Sequence, residues 1–197
     1  MKTKSKALLM TLCAVLLVAA SVLGTMAYLT STTGPVTNTF SIGKIAITLD
    51  EAPVNVYGEV VEGARCTENQ YKLVPGHTYT KDPTVHVTDE NSENSWIFVK
   101  VVNGIAAIEA AGDTTIAAQI EKDWTKLDGV ANVYYQEYTK QEAAKDFVVF
   151  NSFTVKNDIS ETDLETYKDA SITITAYAVQ QDGFDTAKAA WTAAKFN

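Results

Sequence analysis

Residues 95–102 read SWIFVKVV, with apolar side chains at both odd and even positions. Successive side chains of an extended chain point to opposite faces of a sheet, so Trp96 and Phe98 share one face while Ile97 and Val99 share the other. A strand with one face in water would alternate apolar and polar residues instead. The pattern therefore predicts a central strand that is covered on both faces, and the rest of the fold can be built outward from it.

The segments on either side of this strand have the composition of further strands. β-Branched and aromatic residues recur at every second position, between turns rich in Gly, Pro, Asn and Asp. The predicted strands are KIAITLD (44–50), PTVHVT (83–88), NVYYQEY (132–138), FVVFNSFTV (147–155) and ASITITAYAVQ (170–180). The pair Asp128-Gly129 predicts a hairpin turn. Many short strands of this kind favour an all-β fold, in which two antiparallel sheets pack as a jelly-roll-like β-sandwich.

Two segments have helical rather than strand periodicity. The first is TTIAAQIEKDW, residues 114–124, for which Asp113 and Thr114 are candidate N-terminal caps. Residues 184–196, FDTAKAAWTAAKF, place an aromatic and alanine face at helical spacing. We expect the first to be a short helical insertion and the second to be a C-terminal helix that closes one end of the core.

The N-terminus has the pattern of a secretory signal. Three lysines within the first six residues precede an uncharged apolar run at residues 7–23, which is shorter than most membrane-spanning helices. Small side chains at Thr25 and Ala27 predict cleavage before Tyr28. We therefore expect a cleaved signal peptide at residues 1–27 and no stable membrane insertion afterwards. A retained membrane anchor is the alternative.

Charge and cysteine content narrow the function classes. The formal net charge is −8, and removal of the lysine-bearing leader makes it more negative. Such a surface repels nucleic acid and anionic lipid, which both need clustered Lys or Arg. Of the two cysteines only Cys66 lies after the leader, so an internal disulfide is excluded. A secreted, disulfide-free chain points to a bacterium.

The sequence contains no catalytic constellation. Its two histidines, His77 and His86, lack the spacing of a zinc-protease helix, and no nucleophile elbow or Cys-x-x-Cys pair is present. The acidic loop at residues 88–95 lacks the glycine and the terminal glutamate of a calcium-binding loop. Trp96, Trp124 and Trp191 lie within apolar patterns and are expected in the core, with a sugar-binding groove as the alternative. No catalytic residue and no cofactor are predicted, and a metal site built on His77 and His86 is the alternative.

Further motifs lie in the leader and the first strand, in LVPGHTYTKDPTVHVTDENSENSWIFVKV (73–101) and in ITITAYAVQQDGFDTAKAAW (172–191). The most specific positions are Gly24, Thr25, Ala27, Tyr28, Thr39, Phe40 and Gly43. Together these motifs resemble those of the TasA and camelysin family of secreted proteins from Gram-positive bacteria. The resemblance implies a jelly-roll sandwich, a leader removed by the signal peptidase SipW, and assembly into biofilm-matrix fibres outside the cell or at its surface.

In such an assembly the N-terminal segment of one subunit completes the sheet of the next. Residues 28–42 suit this role, because VTNTFSI (36–42) is extended in character. The side chains expected on its inserting face are those of Val36, Asn38, Phe40 and Ile42. Alternatively, residues 36–42 form the first strand of the chain's own single domain, predicted at residues 36–197.

The partner expected from this interpretation is a second copy of the chain, and an accessory matrix protein is a further candidate partner. Two other functions remain open at this point. One is a camelysin-like extracellular zinc metalloendopeptidase that uses His77 and His86. The other is a monomeric surface adhesin or glycan-binding module.

Overall fold

The computed structural model describes residue 6 and residues 10–17, 45–88, 92–140 and 145–196. The chain forms two compact units, Met1–Ser41 and Ile42–Asn197. In the first unit residues 10–17 are helical. None of the helices among the described residues is both long and apolar enough to cross a membrane.

The second unit is mainly β, with antiparallel sheets and a few short helices. Its described strands are β1 (Ile47–Asp50), β2 (Thr78–Thr80), β3 (Thr84–Val87), β4 (Ser95–Asn103), β5 (Thr125–Lys126), β6 (Val133–Tyr138), β7 (Asp146–Val148), β8 (Ser152–Thr154) and β9 (Ile172–Gln180). Its described helices are a 3₁₀ turn (Ala106–Ile108), α1 (Ile116–Asp123), α2 (Glu161–Glu165) and α3 (Ala187–Ala194). The prediction of a mainly β protein with a C-terminal helix is confirmed.

The largest sheet has four antiparallel strands in the order β5-β6-β4-β9. β4 lies inside it, paired along its whole length with β9 and along residues 95–100 with β6. On one face Ile97 and Val99 enter the main core, and on the other Phe98 enters a second apolar cluster. The sequence prediction of a central strand covered on both faces is therefore confirmed.

Two smaller sheets complete the main core. One has the order β1-β3-β7 and the other pairs β2 with β8, all antiparallel. Val85 and Val87 from β3, Phe147 from β7 and Tyr79 from β2 join the residues of β4 in a single buried cluster. The alternating pattern of PTVHVT thus places its valines in the core, as expected of a strand with one buried face.

The predicted strand FVVFNSFTV is in fact two strands. β7 pairs with β3, whereas β8 pairs with β2, so the two halves belong to different sheets. Between them the Val149 N–H donates to Pro83 O at 2.8 Å, and the Asn151 carbonyl accepts from Lys81 N at 3.1 Å. Phe150, in the connection, is buried as well, whereas the next residue, Asn151, is exposed.

The C-terminal helix α3 covers the outer face of the four-stranded sheet. Ala187, Ala190 and Trp191 are buried against Phe98 and Val133. The Thr186 hydroxyl caps the helix by accepting from Ala189 N at 3.2 Å. The helix therefore forms a second cluster on the sheet face, rather than closing an end of the main core as the sequence analysis predicts.

Of two local predictions, one needs correction and one is confirmed. The cap of α1 is Thr115, whose hydroxyl accepts from Ala118 N at 3.2 Å, and not Asp113 or Thr114. The sequence alone left the cap of α1 ambiguous, because Asp113, Thr114 and Thr115 are consecutive short polar residues and each of them can cap a helix. The predicted hairpin turn is confirmed, because Asp128-Gly129 lies in the connection between the antiparallel strands β5 and β6, and Gly129 has φ +72°.

Candidate binding groove

A groove of about 1200 Å³ opens between the end of β1 and the start of β9. β1 is an outer strand of the three-stranded sheet, β9 is an outer strand of the four-stranded sheet, and the two lie close together. Within residues 45–88, 92–140 and 145–196, β1 pairs with β3 and β9 pairs with β4. The groove is therefore bordered by two sheet edges. Its apolar lining includes Leu49, Leu73, Ile105, Leu164, Tyr167 and Ile174.

The core-facing side chains of β9 are incompletely buried. Ile172, Ile174, Ala176 and Ala178 pack on the main core but remain partly exposed. By contrast, Ile97 and Val99 on the neighbouring β4 are 0% exposed. Among the described residues the core is thus closed over β4 and open over β9.

The backbone of β9 is held in place by its hydrogen-bonded ladder with β4. The ladder runs from Ser95↔Gln180 to Asn103↔Ile172. Just beyond its end, Gly104 N donates to Ser171 O at 2.8 Å, and a Cβ at Gly104 would lie only 2.6 Å from the same oxygen. In an antiparallel ladder the N–H and C=O of alternate residues point away from the partner strand. β9 therefore presents a fixed row of backbone groups beside the half-buried side chains.

The short helix α2 closes one end of the groove. The Ser160 hydroxyl caps it by accepting from Asp163 N at 3.1 Å. Leu164 in the helix and Tyr167 just after it then pack on the core. Because the cap fixes where the helix begins, it also fixes where these two apolar side chains meet the groove.

The long connection between β1 and β2 forms the opposite wall. Glu51 and Cys66 exchange two backbone hydrogen bonds of 2.8 Å, which fold this connection back on the end of β1. The Asn55 side-chain oxygen accepts from Tyr57 N and Glu59 N, at 2.9 and 3.1 Å, and holds the tip of the loop. The loop then brings Tyr71 onto Phe153, with ring centroids 5.2 Å apart. The wall is therefore an ordered part of the fold.

A polar cluster lies in this wall and consists of Glu51, Asn69 and Lys81. Lys81 Nζ lies 2.5 Å from Glu51 Oε2, and Asn69 Nδ2 donates to Glu51 Oε1 at 2.9 Å. Glu51 and Lys81 are 4% and 8% exposed. Burial, together with the negative charge of Glu51, raises the pKa of the neighbouring Tyr71 well above its ordinary value, so its hydroxyl stays protonated. Glu51 and Lys81 are the most buried charged side chains around the groove.

A second polar network lies on the outer face of the three-stranded sheet. His86 is held between two carboxylates, with Nδ1 2.6 Å from Asp146 Oδ1 and Nε2 2.9 Å from Asp50 Oδ1. Arg65 bridges Asp50 and Asp82. Burial alone would lower the pKa of His86, but the hydrogen bonds that its ring makes to the carboxylates of Asp146 and Asp50 outweigh burial and raise that pKa. Burial would likewise raise the pKa of Asp50, but Arg65 and His86 outweigh it and lower that pKa.

The two histidines proposed for a metal site have separate surroundings. His77 Nε2 lies 2.8 Å from the Tyr57 carbonyl oxygen, whereas both ring nitrogens of His86 bind carboxylates. In the described parts of the chain no group of three or more His, Cys, Asp or Glu side chains could hold a metal ion. The zinc endopeptidase and the glycan-binding module both stay predictions from sequence.

The other predicted positions divide into two sets. The cleavage residues Thr25, Ala27 and Tyr28 and the strand-forming residues Val36, Asn38, Phe40 and Ile42 lie outside the described residues. Trp124 and Trp191 are 3% and 7% exposed, which confirms that they are core residues. Trp96 is only partly buried and packs against the second apolar cluster. Cys66 is half buried beside Glu51.

The sequence analysis missed both polar networks. Glu51, Asn69 and Lys81 come from three places along the chain, and each stands among other polar residues. No spacing rule links them, because their meeting depends on how the loop between β1 and β2 folds back. The aromatic residues that flank them, Tyr71 and Tyr79, were the nearest available signal.

Comparison with known proteins adds nothing to this geometry. No protein-family model, no curated protein and no solved structure matches the chain.

Proposed function

We propose that the chain is a secreted structural subunit of a biofilm-matrix fibre, in which the N-terminal strand of one copy fills the groove of the next. The observation that carries this proposal is the half-buried edge of β9 beside a groove of about 1200 Å³. A peptide that joins a sheet edge gains main-chain hydrogen bonds, and every second side chain can fill an apolar pocket. The groove between β1 and β9 offers partners of both kinds.

The proposed donor is residues 36–42, VTNTFSI. Its inserting face carries Val36, Phe40 and Ile42, with Asn38 as the polar member. These apolar side chains would cover Ile172 and Ile174, which the described part of the subunit leaves half exposed. Burial of apolar area at about 25 cal/mol per Å² would drive the insertion.

The contact is head-to-tail, because donor and acceptor are different surfaces of one chain. A head-to-tail contact that does not close into a ring continues as a filament. Cleavage before Tyr28, by a peptidase of the SipW type, would release the donor and so start assembly outside the cell. The fibre partner is then a second copy, and an accessory matrix protein could supply a similar strand.

The fold and family that we propose follow from the same features. The three-stranded and four-stranded sheets contribute to one buried cluster, which supports a two-sheet sandwich of the jelly-roll kind. The motifs shared with TasA and camelysin support membership of that family.

Electron microscopy of the chain processed at Tyr28 tests the proposal through a matched pair of variants. Ile174→Asp puts a carboxylate on the floor of the groove, whereas Thr175→Asp puts the same charge on the adjacent, exposed position of β9. We expect filaments from the unchanged protein and from Thr175→Asp, and folded monomers from Ile174→Asp. Circular dichroism of each variant checks that the fold is retained.

Variants of the donor give the complementary half of the experiment. Deletion of residues 28–42, or Phe40→Asp, should also leave folded monomers. A peptide of residues 28–42 added to the deletion variant should bind it, and the Phe40→Asp peptide should not. Unfolding of the deletion variant would instead make residues 36–42 the first strand of the subunit's own core. A processed chain that stays monomeric at every concentration and pH overturns the proposal.

A further inference from the structure

Lys81, Asn69 and Glu51 are arranged as a nucleophile, an acyl donor and a shared proton carrier, respectively. The carboxylate of Glu51 binds the amine of Lys81 through Oε2, at 2.5 Å, and the amide nitrogen of Asn69 through Oε1, at 2.9 Å. One carboxylate therefore touches both the atom that could attack an amide and the atom that would leave it. A positioned acid-base group of this kind promotes acyl transfer.

The orientation of the Asn69 amide is fixed by its partners. Asn69 Oδ1 accepts from Val54 N at 3.0 Å, and Nδ2 donates to Ala52 O at 2.9 Å. A backbone N–H can only donate and a carbonyl can only accept, so the oxygen and the nitrogen cannot be exchanged. The Val54 N–H consequently points at the oxygen on which negative charge would develop during attack at Cγ.

The surroundings of the cluster favour reaction over solvation. Glu51 is 4% exposed and Lys81 is 8% exposed. The Tyr71 ring centroid lies 5.9 Å from Lys81 Nζ, and Tyr71 itself packs edge-on against Tyr79 at 5.7 Å. A water-poor, aromatic wall strengthens the interaction of Glu51 with both nitrogens and holds them in one geometry, which lowers the entropic cost of bringing them together.

We propose that Lys81 and Asn69 become joined by an intramolecular amide bond, with Glu51 as the catalytic residue. Glu51 takes a proton from the Lys81 ammonium, and the electron pair of Nζ then attacks Cγ of Asn69. The tetrahedral intermediate expels Nδ2, which takes that proton from Glu51. The second proton lost by Nζ passes through Glu51 to the departing ammonia, so the products are a secondary amide, an ammonium ion and the regenerated carboxylate.

The bond would fasten the wall of the groove to the end of β2. Asn69 lies in the loop that follows the Glu51–Cys66 bridge, and Lys81 directly follows β2, whose partner is β8. A covalent link between them would hold Tyr71 and Leu73 in place beside the groove. The inference rests on the cluster alone and holds whether or not the groove accepts a strand.

Mass spectrometry of the folded full chain tests the bond directly. We expect an intact mass that is lower than the sequence mass by one ammonia. Trypsin should then release residues 66–72 and 73–100 as one linked pair, since cleavage after a modified Lys81 is blocked. An intact mass equal to the sequence mass overturns the proposal, and a loss of one water overturns it as well, because that loss would join Lys81 to Glu51.

Three variants separate this bond from other losses of ammonia. Lys81→Arg removes the nucleophile, Asn69→Ala removes the acyl donor, and Glu51→Gln keeps the size of the side chain but cannot carry the proton. Each should show the full sequence mass, and circular dichroism identifies those that fold. Ammonia loss that persists in Lys81→Arg would place the reaction elsewhere and overturn the assignment. Lys72→Arg, a change at an exposed lysine of the same loop, should retain the loss.

Discussion

The two faces of the edge strand β9 are covered to different extents. On one face Tyr177 packs against Trp191 and Phe196, with ring centroids 5.3 and 4.4 Å away, under the cover of α3. On the other face Ile172 and Ile174 contribute to the main core yet remain partly exposed at the groove. The same strand is therefore covered by its own chain on one side and incompletely covered, among the described residues, on the other.

The difference shows where the fold can accept further chain. A half-exposed apolar surface beside a sheet edge is a site for strand addition, and natural proteins usually block such edges unless they use them. The face under α3 is blocked in this way, because Ala190 and Trp191 are buried there. The groove has no such helix laid over it within the described residues, and it is the surface at which we propose that a strand is added.

The first test removes part of the cover that α3 provides over the closed face of β9. Trp191→Ala should lower the free energy of unfolding by about 3–5 kcal/mol, since it empties a large buried site next to Phe98, Tyr177 and Phe196. Urea denaturation measures the loss. The exposed neighbour Thr192→Ala on the same helix should change it by less than about 0.5 kcal/mol. Equal effects of the two changes would mean that α3 is not an essential cover.

A second test compares the same substitution on the closed and open parts of the main core. Ile97→Ala, on β4, should cost about 2–5 kcal/mol, because the side chain is fully buried. Ile174→Ala, on β9, should cost only about 1–2 kcal/mol in the variant that lacks residues 28–42, because its side chain still contacts water. Adding the peptide of residues 28–42 should increase the cost of Ile174→Ala. No change on adding the peptide would contradict strand insertion at β9.

Sequence periodicity predicted the covered parts of the fold well, for a physical reason. The two-sided apolar pattern of β4 and the helical spacing of α3 record burial directly, since every side chain facing the core must be apolar. Periodicity failed where pairing depends on distant partners. Phe147 and Phe153 belong to one predicted strand, but only the positions of β3 and β2 decide that they join different sheets.

The candidate site was less accessible to sequence reasoning than the fold. The donor residues Val36, Asn38, Phe40 and Ile42 could be proposed, because the resemblance to the TasA and camelysin family implies strand donation and the segment has an extended, alternating pattern. The acceptor could not, because a vacant sheet edge is a property of strand order. The Glu51–Asn69–Lys81 cluster was also hidden, since residues as common as these acquire a role only when the loop between β1 and β2 brings them together.

The smallest effect is expected on the outer face of the three-stranded sheet, which is held by charges instead of apolar cover. There Asp146 and Asp50 raise the pKa of His86, so the network stabilises the fold fully below the ordinary histidine pKa of about 6.5 and loses this contribution as pH rises through the raised value. The lowered pKa of Asp50 works in the opposite direction, because its contribution is lost as pH falls through that value. The network should therefore contribute most in mildly acidic solution.

Asp146→Asn provides the measurement for this face. It should lower the titration midpoint of the His86 ring, followed by NMR, and reduce the free energy of unfolding at pH 5.5 by less than about 1 kcal/mol, because Asp146 is largely exposed. At pH 8.5 the two proteins should differ less, since His86 is then closer to neutral in both. Asp169→Asn removes an equal charge from an exposed position outside the network and should leave the His86 midpoint unchanged. A midpoint that Asp146→Asn does not move would show that burial, rather than this ion pair, governs the pKa of His86. The closed and open faces of β9 would then remain as the features that set the stability of the fold.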